Sequence, residues 1–454
     1  MPPTEPAPPP EPRTGRLPRR LGVWSAAAVL VGSTIGSGIF RVPSTVAADV
    51  GTVGSLALLW ILGAAVVVCG ALTLSELATL VPESGGVYVY IREAFGPLPA
   101  FLFGWTEILL IRPSALGAIA MIFAGYLGTF VHLSNTGVHM VAAAAIAVVG
   151  AANVRSVVWG AGLENVTTAA KVLALTALAL LAFAFGGGGG GGSLAGTLSF
   201  EPTTWGGFGV ALIAVLWAYD GWADLTFMAG EVRDPARTLP RALLGGTLTI
   251  VVVYLLTNAA YLYLLPMDRM AGSELVAADA ATVVFGRAGA SVVAALVMLS
   301  TFGSLNGSMM TGPRIFWAMA DDGLFFRPVA AVHEKWRTPW AAILLASGLG
   351  IGYVSFRTFE QLADAFILGI WPFYALAVAA VFVLRRRRPD AERPFRTPGY
   401  PWVPLVFLLA SLGLLANATI QQPVSTLLGF GLILLGAPAY WVWRRLGKGA
   451  PAGR

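Results

Sequence analysis

The chain has 454 residues, 57% of them hydrophobic and 11% charged, with a mean hydropathy of +0.75. Soluble domains carry about 25% charged residues, so an all-α polytopic membrane protein is expected. The net charge of +6 leaves nucleic acid as a partner only until the charges are placed along the chain, and the single cysteine, Cys69, excludes an intrachain disulfide and a thiolate metal cage.

Residues 1–21 open with eight prolines and no apolar run, and read as a disordered cytoplasmic tail. Arg13, Arg16, Arg19 and Arg20 then precede the first apolar segment. No small-residue cleavage site follows a short apolar core, so the first helix is expected to be retained. A span needs about 20 apolar residues. Twelve candidates follow, near 22–45, 53–80, 98–130, 138–154, 163–185, 207–231, 240–265, 288–320, 339–356, 360–385, 402–418 and 424–443. They fall into one set of five over 22–185 and a second over 207–385. A glycine-rich external loop (186–206) lies between them, and a basic loop (386–401), helices 11–12 (402–443) and a short tail (444–454) follow. The run Gly186–Gly192 lacks the Lys-Ser/Thr of a phosphate loop and follows an apolar helix, so it reads as a linker and not an ATP site.

The first span contains "VGSTIGSGIF" (31–40), with Gly32, Gly36 and Gly38 among Ser33, Thr34 and Ser37. Glycine disfavours helix by about 1 kcal/mol per residue, and a freed amide in hydrocarbon is costly unless satisfied. Gly32-x-x-x-Gly36 also fits a close-packing seam. The sixth span, "VLWAYDGWADLTFMAGEV" (215–232), is interrupted at Gly221 between Asp220 and Asp224. Interruptions at matched positions of two halves point to a transporter binding site. Half-helix N-termini offer amides to an anion and C-termini offer carbonyls to a cation, a fit for a zwitterion.

Placing the N-terminus inside puts 22 Lys and Arg in inside segments and 4 outside, namely Arg41, Arg269, Arg287 and Arg357. Arg112, Lys171 and Arg314 lie within spans. That asymmetry puts both termini in the cytoplasm and accounts for the positive charge without nucleic acid. Lys171 costs roughly 2.5–3.5 kcal/mol at mid-span and must face the interior or snorkel to the cytoplasmic face. Glu107 and Arg112 are five apart, about 140° around a helix, which leaves their pairing open; Pro113 is able to distort the helix, and a structural role for Arg112 is favoured over substrate contact. Glu76 and Glu231 lie toward the cytoplasmic ends and fit inside-closing polar networks. His132, His139 and His333 fall in different predicted loops. With no metal cage and no nucleophile–base set, an enzyme is disfavoured and no cofactor is expected.

"GSGIF" in the first span resembles the amino acid–polyamine–organocation transporters. "GWTEILLIRPS" (104–114), "AYDGW" (218–222) and "FGSLNGS" (302–308) are similar to the L-type amino acid transporters and their bacterial relatives, as are "GEVRDPARTLPRA" (230–242) and "YLLTNAAY" (254–261). The resemblance runs from about residue 22 to 440. It implies the LeuT fold, two inverted five-helix repeats with helices 1 and 6 broken, then two trailing helices. It also implies amino acid transport by alternating access in a bacterial inner (cell) membrane. Carried over, the substrate carboxylate meets Gly36, Ser37 and Gly38, beside Gly221. The ammonium meets carbonyls of Thr34, Trp217 and Asp220, with Trp217 as an aromatic gate. Ser304 and Ser308 line the eighth helix and Tyr254 the seventh. Lys171 stands where sodium-coupled members bind an ion, which implies a sodium-independent exchanger of neutral amino acids. The alternatives are proton-coupled uptake, with cationic amino acids also accepted, and a non-transporting amino acid sensor. "LGTFVHLSNTGVH" (127–139) lacks the cysteine that ties animal members to a heavy subunit, so the expected partners are the amino acid and membrane lipid, with no disulfide-linked subunit. Ala223 replaces an asparagine common after "GW". Asp220 is expected to cap the following half-helix or, failing that, to favour a cationic substrate side chain.

Overall fold

The structure, a computed structural model, describes residues 17–155, 157–186 and 205–445. The proline-rich stretch before residue 17, the glycine run from 187 and the last nine residues lie outside these, and so do the expectations placed on them. Among the described residues every regular element is helical. In the first half these are α1 (Val23–Thr34), α2 (Gly38–Val50), α3 (Val53–Leu80), α4 (Val87–Phe95), α5 (Pro97–Thr106), α6 (Arg112–Leu127), α7 (Asn135–Arg155) and α8 (Val157–Phe185). The second half holds α9 (Trp205–Tyr219), α10 (Asp224–Phe227), α11 (Pro235–Leu264), α12 (Met267–Ala271), α13 (Val276–Thr311) and α14 (Pro313–Asp321), then α15 (Trp340–Val354), α16 (Phe359–Arg387), α17 (Trp402–Gln421) and α18 (Pro423–Arg445).

Ten segments are long and apolar enough to cross a membrane, and two shorter apolar helices, Gly206–Tyr219 and Trp340–Val354, stand sixth and ninth. Ile61, Leu173, Val252, Leu409 and Leu428 are exposed on the outside of these helices. An apolar exterior of this extent is what hydrocarbon solvates. The molecule is a polytopic membrane protein.

Three boundaries differ from expectation, each for a local reason. The sixth span does not continue to 231: helix stops at Tyr219, α10 is a single turn, and a 3₁₀ turn covers Ala229–Glu231. The chain is pinned there because Glu231 O accepts from the amides of Arg20 and Leu21, and the Glu231 carboxylate binds Arg314 at 2.9 Å. The eighth span begins at Val276, bends at Gly286 (φ 64°) and ends at Thr311; α14 is separate because Pro313 has no amide to continue the ladder. His139 lies inside α7, its Nδ1 2.6 Å from Val354 O, and not in a loop.

The centre is a bundle of α1, α3, α6, α8, α11 and α13. α1 packs against α8, α11 and α13, while α2 runs along α9. α17 and α18 lie outside, against α3, α9, α16 and α5. Both interrupted segments therefore sit in the middle of the bundle, where no water replaces missing hydrogen bonds.

The end of the bundle carrying most arginines is closed by ion pairs. Arg385 meets the buried Glu76 through Nε at 2.9 Å and a terminal nitrogen at 2.7 Å, Arg393 approaches at 3.4 Å, and the Thr397 amide donates at 2.7 Å. Arg92 joins Asp322 and Glu83 at 2.5 and 2.8 Å, and Glu93 accepts from Arg388 at 2.5 Å. Partial burial works to raise the Glu93 carboxyl, but hydrogen bonds and charge from Arg388 and Arg92 outweigh it and hold Glu93 below its ordinary value. Removing one partner of a buried ion pair costs about 3–5 kcal/mol because the other is left uncompensated. Glu76→Ala is therefore expected to lower the melting temperature in detergent far more than Glu83→Ala, whose carboxylate is exposed; equal effects would show that the Glu76 cluster does not anchor this end.

Candidate functional site

The first interruption spans Ile35–Ser37, between the end of α1 and the start of α2. It frees the terminal carbonyls of α1 and the leading amides of α2. The carbonyls are claimed. Lys171 Nζ on α8 lies 2.7 Å from Gly32 O, 2.8 Å from Ile35 O, 3.1 Å from Ser300 O and 3.0 Å from Ser304 Oγ. Ser304 Oγ is itself 2.7 and 3.0 Å from the first two carbonyls, and Ser300 Oγ donates to Ile35 O at 3.1 Å. Lys171 is 2% exposed, so it does not snorkel. Its ammonium is held by oxygens as a bound cation would be. The amides are not claimed in the same way: Ser37 precedes α2 with no side-chain cap.

The second interruption covers Asp220–Ala223, with Gly221 at φ 107°, a conformation that excludes a side chain. A Cβ there would also stand 2.9 Å from the Thr34 backbone. The two breaks thus touch. Tyr254 from α11 locks them together, its hydroxyl reaching Thr34 O at 2.8 Å and Ala218 O at 3.0 Å. α10 is too short to build up a macrodipole, which corrects the expectation of a half-helix after Gly221.

Between the breaks lies a cavity. Thr34, Gly36, Ser37, Gly38, Trp217, Asp220, Gly221, Ser304 and Ser308 are all in its wall. Tyr254 is not: it braces the backbone behind the wall. Gly38 has two duties. A Cβ on it would overlap the Ala218 backbone, so its small size is also required for α2 to pack on α9. Close packing and the break in the helix thus share this glycine.

Trp217 is the residue this cavity shares with a larger one on the side away from the arginine-rich end. Its ring packs edge-on against Phe366 (5.0 Å between centroids) and Phe359 (6.3 Å). The outer cavity contains Arg41, Asp49, Glu360 and Asp364. The indole therefore separates a charged vestibule from the central cavity.

Two charged residues of the wall were not expected. Arg112 reaches the cavity, donating to Ser308 Oγ at 2.7 Å while paired with Glu107 at 2.6 Å. The pair forms because Glu107–Ile111 is a π-helical turn, in which the Arg112 amide bonds Glu107 O five residues back. On a regular helix the two side chains would point apart; the π-turn brings them together. The proline after Arg112 is the only sequence sign of this. Asp224 also lines the cavity, accepting from Thr311 at 2.9 Å. Asp220 does not cap α10, whose N-cap is Ala223 without a side-chain bond; its carboxylate accepts from Tyr374 at 3.0 Å. No group of three or more potential metal ligands occurs among the described residues.

This arrangement offers the uncapped start of α2 and several hydroxyls, an occupied cation cage behind them, and the carboxylates of Asp220 and Asp224 in the wall. Such a cavity suits a small molecule with both charges. Comparison with known proteins agrees. The amino acid permease family model matches residues 21–442. The chain is 30% identical to the serine/threonine exchanger SteT of Bacillus subtilis (strain 168), covering 94% of this chain and 97% of that protein. It is 31% identical to the mouse (Mus musculus) b(0,+)-type amino acid transporter 1, covering 90% and 85%. It is 29% identical to the human cystine/glutamate transporter, covering 96% and 87%.

Removing Arg112 leaves Glu107 charged and dry. Arg112→Met is expected to destabilise the detergent-solubilised protein by about 3–5 kcal/mol, and adding Glu107→Gln to recover a large part of that. Thermal unfolding of the two single variants and the double variant measures the coupling; strictly additive losses would mean the pair is not a unit.

Proposed function

The chain belongs to the amino acid permease family, and on that premise we propose that it is a sodium-independent exchanger of neutral amino acids working by alternating access. That it is an amino acid transporter and not an enzyme follows from the family. The finer reading rests above all on Lys171, whose ammonium occupies the oxygen cage at the break of α1. A sodium ion seated there would meet a fixed positive charge and no vacant carbonyl.

The proposed architecture is the twelve-helix LeuT arrangement. Inverted repeats cover 22–185 and 207–385, helices 11–12 cover 402–443, and both termini are cytoplasmic in a bacterial inner membrane. The substrate carboxylate is placed at the amides of Gly36, Ser37 and Gly38. Its ammonium is placed toward the carbonyls of Thr34, Trp217 and Asp220, of which Thr34 O also accepts from Tyr254 and Trp217 O from the Asp220 amide. Ser304 and Ser308 flank it, and Trp217 is the gate toward the vestibule. In proteoliposomes preloaded with amino acid, replacing external sodium by choline is expected to leave uptake of labelled serine or alanine unchanged. Lys171→Ala is expected to cut uptake by about tenfold or more, since buried carbonyls lose their donor. Uptake that collapses in choline would sink the sodium-independent reading.

The Asp220 carboxylate favours an extension of the substrate range. It lines the cavity and is not spent on a helix cap. A cationic side chain would give it a partner, so cationic amino acids are proposed as additional substrates. Arginine is expected to compete with labelled alanine in wild type and to lose about tenfold or more in Asp220→Asn, while leucine competition is retained. Equal arginine inhibition of both proteins would remove Asp220 from specificity.

A further inference from the structure

Among the described residues the break of α1 and the central cavity are surrounded by four carboxylates, on Glu107, Glu164, Asp220 and Asp224, and by two cations, Arg112 and Lys171. Glu107 is paired with Arg112. The other buried acids of the bundle, Glu76 and Glu231, are matched by arginines. Among the described residues Glu164, Asp220 and Asp224 form no ion pair. Asp220 and Asp224 face the substrate cavity. Glu164 does not; it lies behind α1, fully buried, and nothing in the transport reading uses it.

Its surroundings are specific. One oxygen accepts from Asn306 at 2.8 Å, and Asn153 on α7 in turn donates to Asn306 Oδ1 at 2.8 Å. The other oxygen, Oε1, is buried with no hydrogen-bond partner among the described residues. It points at two glycines. A Cβ on Gly32 would collide with it, and a Cβ on Gly307 would stand 3.2 Å from it. That same Cβ would overlap Ser33 Oγ at 2.6 Å, and Ser33 is in the cavity wall. Ser33 Oγ and Glu164 Oε1 thus both pack against Gly307, and the Ser33 hydroxyl stands between the substrate cavity and the unpartnered oxygen of Glu164.

The charges facing Glu164 are Lys171, two turns along its own helix, and Asp224 from α10. α1, α7 and α13 bring Gly32, Asn153, Asn306 and Gly307, all uncharged. The arginines of α11, Arg237 and Arg241, are exposed near its start. A carboxylate so placed carries an uncompensated charge unless it takes a proton.

We propose that Glu164 is a proton-binding site that governs the release of Lys171 from the α1 carbonyls. A hydronium ion in the cavity gives its proton to the Ser33 hydroxyl, which passes its own proton to Oε1, leaving water behind and a neutral carboxylic acid. While Glu164 is ionised, its attraction holds the Lys171 ammonium charged and seated on Gly32 and Ile35. Protonation removes that attraction and frees α1 to move, so exchange speeds up as the pH falls. The proposal rests on the reading of the chain as an exchanger.

The test is exchange of labelled serine or alanine in preloaded proteoliposomes, with equal pH on both sides, varied from mildly alkaline to mildly acidic. Wild type is expected to accelerate toward acid, by up to about tenfold per pH unit where the site titrates. Glu164→Gln, which imitates the neutral acid, is expected to exchange at the acid-limit rate with a flat profile. Glu164→Asp keeps an acid but withdraws it by one methylene, and is expected to shift the midpoint. If Glu164→Gln keeps the wild-type slope, the proposal is overturned while the exchanger reading stands. If Glu164→Gln does not insert, an unmoved midpoint in Glu164→Asp overturns it. Wild type that exchanges at no pH removes both readings.

Discussion

A helix that stops in the middle of a membrane leaves carbonyls with no water to receive them, and the rest of this molecule is arranged around that constraint. α1 stops at Thr34. Three helices supply donors to its end: Lys171 from α8, Ser300 and Ser304 from α13, and Tyr254 from α11. Each would be poorly placed elsewhere. A buried ammonium needs several oxygens, and the end of a helix is where several carbonyls converge. The break and the lysine each resolve the other's desolvation.

The second consequence is steric. For α9, α13 and α8 to reach the break, α1 and α2 must present almost no side chain. Gly38 lies against the backbone of Ala218, Gly36 against Ser304, and Gly32 against Glu164. Packing and binding are thus not competing explanations of these glycines. Close approach brings the donors within reach of the carbonyls, and the same absence of side chains leaves the cavity.

Polar groups away from the break follow a simpler rule. Toward the arginine-rich end, buried carboxylates meet arginines directly, as Glu76 and Glu231 do. Around the cavity, every acid but Glu107, which pairs with Arg112, is left to a hydroxyl or an amide: Asp220 to Tyr374, Asp224 to Thr311, Glu164 to Asn306. A fully matched core would be more stable and would offer nothing to a visiting charge. The imbalance is the feature on which the proposals about cationic substrates and a proton site both draw.

The membrane-spanning character, the positions of most helices, the two breaks and the identity of the buried lysine are fixed by composition and local pattern, because hydropathy and glycine placement act over a few residues. Nine of the ten residues expected around the substrate do line one cavity. Local pattern cannot fix which atoms meet across helices. Tyr254 braces the wall because its ring spans the distance between two helix ends. Arg112 enters the cavity because a π-turn rotates it onto Glu107. Glu164 fits behind α1 because Gly32 and Gly307, distant in sequence, make room for its carboxylate. α10 shrank to one turn because Glu231 is tied to Arg314 and to the start of the chain. Each of these depends on separations set by helix packing, and only the folded bundle determines them.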